Sequence, residues 1–374
     1  MSCRWRPIAL ALLVALASCT TSPGGRPQPA APAPAAPAAP AASAPTGAAP
    51  TPAPIPVRYG VQQGSVYAGA YLARDLGYFA DEGLDVDLIP FSSASEIIPA
   101  LATGQLEAGG ISTNPAMWNA VARGVQLKAT LDIYQFLPGR PTNALVVRKP
   151  VYDAGRITRL EDLRGQTLAS TPPGAGSLIG CAVGNGLKRV GMTLDDINIQ
   201  PLPITETLTA MMNGAVDVAS MGDPSLTFAL RQGTVVKLVG LDEMFPYLTL
   251  GLAGMAPSFY DQRPVAKRFV KAYLRAHRAY NDAVAGRPGE ADKATIDASI
   301  ARFSGIDVSA VRDMVPIGMN PNGLPHRDSQ LACYQFFREQ GLIPEPVSEA
   351  AMAAVWGTDL VEEVLDEIGR VPES

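Results

Sequence analysis

Residues 57–61 (VRYGV) alternate apolar and polar side chains at the two-residue period of a half-buried strand, and the run 62–65 (QQGS) breaks it. Residues 67–79 then carry Ala68, Tyr71, Leu72, Leu76 and Phe79 on one face of a helix. Residues 84–88 (LDVDL) alternate as a second strand. Ser95 is placed to cap a helix over 96–103, and Gly104 stands where a helix ends in a left-handed glycine. A third short strand, 106–110, leads into Ile111-Ser112-Thr113-Asn114-Pro115. From Gly165 the order repeats: strand 167–170, loop 171–176, helix 177–190, strand 197–202, loop 203–206, helix 207–213, Gly214, strand 215–219, and a loop ending at Asp223-Pro224. Two passes of strand, loop and helix predict an α/β protein of two lobes, each a mostly parallel sheet flanked by helices.

That order also predicts where a ligand would sit. In open α/β sheets, ligands bind beyond the carboxyl ends of the strands. Two facing lobes would line a cleft there with the loops just named. Helices beginning at Ser65, Ser95 and Ser177 would aim free N–H groups and positive dipole ends into it. The candidate binding residues are therefore Gln63, Ser65, Tyr67, Ser92, Ser93, Ser112, Thr113, Asn114, Tyr134, Phe136, Thr171, Gly174, Gly176, Ser177, Thr205 and Asp223. Hydroxyls, amides and rings dominate this set, and only Arg140 beside it is basic, so no bidentate anion clamp is evident. Asp223 has two readings: a carboxylate facing a ligand amine or ring N–H, or a cap on the helix that follows it.

Composition changes the picture at the N-terminus. The 37 residues 20–56 hold 12 Pro and 13 Ala, and Arg26 is their one charge, so the proline excess of the 374-residue chain is mostly local. Residues 1–18 read as a signal peptide: Arg4 and Arg6 precede an apolar run over 8–17, too short to span a bilayer. The run ends in Leu16-Ala17-Ser18-Cys19, which resembles the bacterial lipobox, so Cys19 is expected to carry a lipid and 19–56 to form a disordered tether. A Pro-rich chain of that length reaches on the order of 100 Å. After residue 56 the chain carries 27 basic and 35 acidic residues with no basic cluster, which argues against nucleic acid as a partner.

Metal and catalytic chemistry find little support. His277 and His326 are the only histidines, and neither a CxxC nor an HExxH motif occurs. No metal, cofactor or catalytic residue is expected. Cys181 and Cys333 could pair in an oxidising compartment, but both lie in helix-like stretches and read better as buried free thiols.

Several blocks extend this reading. Residues 73–84 (ARDLGYFADEGL), 100–108 (ALATGQLEA), 160–166 (LEDLRGQ), 214–219 (GAVDVA) with Asp223-Pro224, and 336–344 (FFREQGLIP) resemble bacterial ABC-transporter substrate-binding proteins of the nitrate/sulfonate/taurine and thiamine-precursor type. The resemblance implies a two-lobed periplasmic-binding-protein type II fold. It assigns 57–140 and 245–374 to lobe 1 and 141–244 to lobe 2, with crossings near 138–143 and 242–246. It implies a monomeric, lipid-anchored extracytoplasmic receptor that captures a sulfonate, aromatic or pyrimidine-like molecule and works with an ABC permease and ATPase. Members often carry Trp where this chain has Gly222, so the pocket floor differs. Alternatives are a ligand-sensing or scaffold lipoprotein, and an enzyme of the related pyrimidine-synthesising branch.

Overall fold

The computed structural model describes residues 53–171 and 174–373, without the side chains of 204 and 205. The signal run, Cys19 and nearly all of the tether lie outside the described residues. Ten strands follow in chain order: β1 Ile55–Val61, β2 Leu84–Pro90, β3 Ala108–Ile111, β4 Lys128–Gln135, β5 Asn143–Arg148, β6 Thr167–Ser170, β7 Asn198–Pro201, β8 Val218–Gly222, β9 Val235–Gly240 and β10 Thr249–Met255. They form two five-stranded sheets, ordered β2-β1-β3-β10-β4 and β7-β6-β8-β5-β9.

The repeat read from the sequence becomes a repeat of topology. β1 pairs in parallel with β2 and β3, as β6 does with β7 and β8. Each sheet then receives one strand of opposite direction: β10 between β3 and β4, and β5 between β8 and β9. Both antiparallel strands are the ones by which the chain enters a sheet from the other. It leaves the first sheet after Gln135 to begin β5 at Asn143, and returns through a short helix, Leu241–Met244, to begin β10 at Thr249. The sheets are therefore mixed, because a strand arriving from the opposite lobe must run against its new neighbours.

Local departures from the expected elements have local causes. The helical face over 67–79 is cut in two, Ala68–Asp75 and Tyr78–Asp81, because Gly77 adopts φ 78°. The helix expected at Glu96 starts at Ala94 with Ser93 as its N-cap, so Ser95 lies inside it. The first sheet is covered by the 22-residue helix Arg263–Val284, whose Phe269 stacks on Tyr59 at 5.7 Å and on Phe79 at 5.1 Å. No helix among the described residues is long and apolar enough to cross a membrane.

Cys181 and Cys333 form a disulfide, against the expectation of free thiols. Both positions are fully buried, as expected, but their helices, Leu178–Lys188 and Arg327–Glu339, pack together and bring the two Cα atoms to 5.6 Å, within bridging range. That approach joins residues 152 apart in sequence and left no local signal. The bond also ties one sheet's territory to the other's. One turn before Cys333, the Ser329 hydroxyl oxygen accepts from the Thr249 backbone N–H (3.4 Å) and the Gln330 amide donates to the Thr249 carbonyl at the start of β10. Closing so long a loop stabilises by about 5 kcal/mol in the chain-entropy account. Cys181→Ser/Cys333→Ser, or reduction of the native chain, is accordingly expected to lower the denaturation midpoint by an amount equivalent to several kcal/mol, read by urea unfolding monitored by circular dichroism.

Beneath the first sheet, two buried ionisable groups share one backbone residue. The Asn320 N–H donates to Asp132 Oδ2 at 3.1 Å, and the Asn320 carbonyl lies 2.9 Å from His277 Nδ1. Burial pushes the Asp132 carboxyl up from 3.8 to about 8 and the His277 imidazole down from 6.5 to about 4. Folding thus takes up a proton at Asp132 between pH ~4 and ~8, a contribution that weakens stability as pH rises through that window. Folding releases a proton at His277 between pH ~4 and ~6.5, which strengthens stability as pH rises there. The two oppose each other below about pH 6.5, and only the Asp132 term acts above it. Stability is expected to change little between pH 5 and 6.5 and to fall from 6.5 to 8 by up to about 1.4 kcal/mol per unit. Asp132→Asn should abolish that fall and uncover the rise below 6.5, both visible in unfolding curves at stepped pH.

Candidate functional site in the cleft between the sheets

The carboxyl ends of the forward strands and the starts of the two reversed strands converge on a cleft of about 350 Å³. From the first sheet come Gln62, Ser65, Val66 and Tyr67 after β1, Ile111 and Ser112 at the end of β3, Ile133 and Tyr134 on β4, and Leu250 and Gly251 on β10. The second sheet supplies Thr142 and Asn143 at β5, Gly222 and Asp223 at the end of β8, and Ser177, Leu178 and Ile179 at the start of the helix after β6. Met314 and Ile317, in the segment after the helix Val308–Asp313, close one side.

Much of this wall is fixed by its own hydrogen bonds. The Tyr67 hydroxyl donates to Gln62 Oε1 at 2.9 Å, and the Gln62 amide nitrogen donates to the Ser92 carbonyl at 3.2 Å. Tyr67 can lie flat on β3 only because residue 110 is glycine: a Cβ there would stand 2.1 Å from the ring. The Tyr134 hydroxyl bonds the Thr142 hydroxyl and donates to Asn143 Oδ1, both at 2.9 Å, which pins the first crossing to the first sheet. Burial raises the Tyr67 and Tyr134 phenols well above their ordinary range, so both remain protonated donors. Ser177 caps its helix, accepting from the Gly180 N–H at 3.0 Å and donating to the Gly174 carbonyl at 2.7 Å.

Asp223 takes the capping role and also stands on the cavity wall. Its Oδ1 accepts from the Thr227 N–H at 3.0 Å, capping the following helix Ser225–Arg231. Its Oδ2 accepts from the Val315 N–H at 2.9 Å, reaching the segment that closes the cleft, and the carboxylate also lines the cavity. Burial raises its pKa above the ordinary value of 3.8, against the lowering effect of these hydrogen bonds. Beside it, a Cβ on Gly222 would stand 2.6 Å from Asn143 Nδ2, so the absent side chain is what gives the Asn143 amide its place.

The structure brings Ser65, Tyr67, Ser112, Tyr134, Ser177 and Asp223 together on the cavity wall. Other candidates face elsewhere. Gln63 is exposed while Gln62 takes the cavity. Ser92 and Ser93 serve the next helix through Glu96, with Ser93 Oγ donating to Glu96 Oε1 at 3.2 Å. Thr113 is fully buried and donates to Gln330, Asn114 caps its helix by accepting from the Met117 N–H, and Phe136 is core. Thr171, Gly174 and Gly176 lie in the loop before Ser177 without reaching the cavity, and the Thr205 side chain lies outside the described residues. Sequence reasoning passed over Thr142 and Asn143, which begin a strand rather than end one, and Met314 and Ile317, which belong to no repeat. Among the described residues, no cluster of His, Cys, Asp and Glu is arranged to hold a metal ion.

Residues 65–291 match the model of the family described as NMT1/THI5 like. The taurine-binding periplasmic protein of Escherichia coli K12 is 26% identical over 292 residues, which cover 74% of this chain and 84% of that protein. Among solved structures, the periplasmic aliphatic sulphonate binding protein SsuA from Escherichia coli superposes with a TM-score of 0.63 at 19% identity, over 81% of this chain and 92% of SsuA. The desulfurization enzyme DSZB does so at 0.57 and 14% identity, over 84% and 99%. The expected two-lobed binding-protein fold is the one these structures share. It hosts an enzyme as well as binding proteins, so the fold alone does not decide the chemistry.

Proposed function

Since the chain belongs to the NMT1/THI5-like family, we propose that it is the extracytoplasmic solute-binding component of an ABC importer. In this reading lobe 1 (57–140 and 245–374) and lobe 2 (141–244) close by hinge motion on a small organic molecule, sulfonate, aromatic or pyrimidine-like, and the closed form is offered to a permease and its ATPase. The observation that carries it is the cleft: strand ends of both sheets converge on about 350 Å³ of mixed apolar and hydroxyl lining, the size of a small-molecule site. The relative named for taurine and the solved sulphonate-binding protein support the same role. Binding residues are proposed to be the wall positions Ser65, Tyr67, Ser112, Tyr134, Ser177 and Asp223, joined by Gln62, Thr142 and Asn143.

A ligand raises the melting temperature by mass action on the folded state. Thermal-shift screening across sulfonates, aromatic acids, pyrimidines and amines is expected to find at least one compound giving a saturable shift and one-site calorimetric binding. A screen in which nothing binds saturably would sink the receptor reading. We propose further that Cys19 is the lipid attachment point and that the protein works as a monomer tethered outside the cytoplasm. Cys19→Ala is then expected to move the protein from the membrane pellet to the soluble fraction of cells, and an unchanged pellet fraction would refute the anchor.

A further inference from the structure

A donor and acceptor inventory of the cleft sharpens what it can hold. Several hydroxyl and amide donors on the wall are already spent on the protein itself: Tyr67 on Gln62, one Gln62 amide hydrogen on Ser92, Tyr134 on Asn143, and Ser177 on Gly174. The donors left are the Ser65 and Ser112 hydroxyls, the second Gln62 amide hydrogen, the Asn143 amide hydrogens and the first N–H groups of the helix Leu178–Lys188, all of them neutral. Among the described residues the wall carries no Lys, Arg or His. Its one carboxylate is Asp223, which accepts the Thr227 and Val315 backbone N–H groups and the Thr227 hydroxyl and keeps lone-pair capacity for one further donor. An oxyanion placed here would meet neutral donors only, no cation, and the negative charge of Asp223, where repulsion in a half-buried site is less screened than in bulk water. A protonated amine or a ring N–H would meet the one strong acceptor present, in a charge-assisted hydrogen bond.

We propose that the cleft selects a small organic molecule carrying a protonated amine or donor ring nitrogen, received by Asp223, and discriminates against oxyanions that lack one. This rests on the solute-binding reading above and narrows it. The rest of the cavity agrees with such a ligand: Val66, Ile111, Ile133, Leu250 and Ile317 give an apolar body its place, and the helix start at Ser177 can take an oxygen at its far end. A zwitterion such as taurine is compatible through its amine; a plain alkyl sulfonate is not.

Matched pairs differing by one nitrogen test the idea on the intact chain by calorimetry: taurine against ethanesulfonate, benzylamine against benzyl alcohol, and 4-aminopyrimidine against pyrimidine. For any pair with a binding member, the nitrogen-bearing compound should bind about tenfold or more tighter than its partner. Asp223→Asn keeps a side-chain acceptor for the Thr227 N–H, removes the charge and exchanges the acceptor facing the Val315 N–H for an amide donor, so it should collapse that gap. Ethanesulfonate or benzyl alcohol binding as tightly as its partner in the wild-type chain would overturn the inference while leaving the receptor reading intact, whatever the variant does. A gap that survives in Asp223→Asn would equally overturn the role of Asp223. If neither member of any pair binds, and the broad screen is also empty, the inference falls together with the receptor reading.

Discussion

Two strands that run the wrong way hold this molecule together. β5 and β10 each sit inside a sheet whose other strands point in the opposite direction, and each is the piece of chain that has just crossed from the other sheet. An inserted strand is hydrogen-bonded on both sides, so the crossings are anchored far more firmly than a connecting loop would be. Because the strand is reversed, its first residues lie level with the last residues of its neighbours. Asn143 therefore stands opposite Gly222, and Gly251 opposite Tyr134. The cleft inherits most of its wall from that alignment, at the ends of forward strands, the beginnings of reversed ones and the loops and helix starts that follow, with Met314 and Ile317 added from a later segment.

The alternation of strands and helices was legible because each element obeys its own periodicity. Residues 57–61, 84–88 and 167–170 carry the pattern of half-buried strands whatever happens elsewhere, and Gly104 and Gly214, at φ 70° and 73°, end their helices as glycine's conformational freedom suggests. The site was legible to the same depth. Ser65, Ser112, Ser177 and Asp223 follow directly from asking which residues come after each strand. A difference of one position was not legible: residue 62 enters the cavity and residue 63 is exposed, with its amide beside Gly305. Nor could Thr113 and Phe136 be separated from true wall residues, since a helix from the far end of the chain covers them, with Gln330 reaching Thr113.

What the sequence could not disclose is long-range by nature. Met314, Ile317 and the Val315 N–H that bonds Asp223 come from a segment about 90 residues further along, with no counterpart in the second pass of the repeat. The Cys181–Cys333 bond is of the same kind. Two buried cysteines on helices are compatible with free thiols and with a bridge alike, and only the packing of one helix on another decides between them.

That bond has a mechanical meaning. In the proposed receptor reading, lobes joined by two chain crossings would turn about the line between them like a door on two pins. A third covalent link, from Cys181 to a helix held against Thr249 beside the second pin, fixes one more point on the moving leaf. Whatever the lobes do elsewhere, the Cα atoms of residues 181 and 333 stay within about 7 Å of each other. Such a swing would be left with a stop, and an open form would pivot around that corner of the cleft rather than gape there.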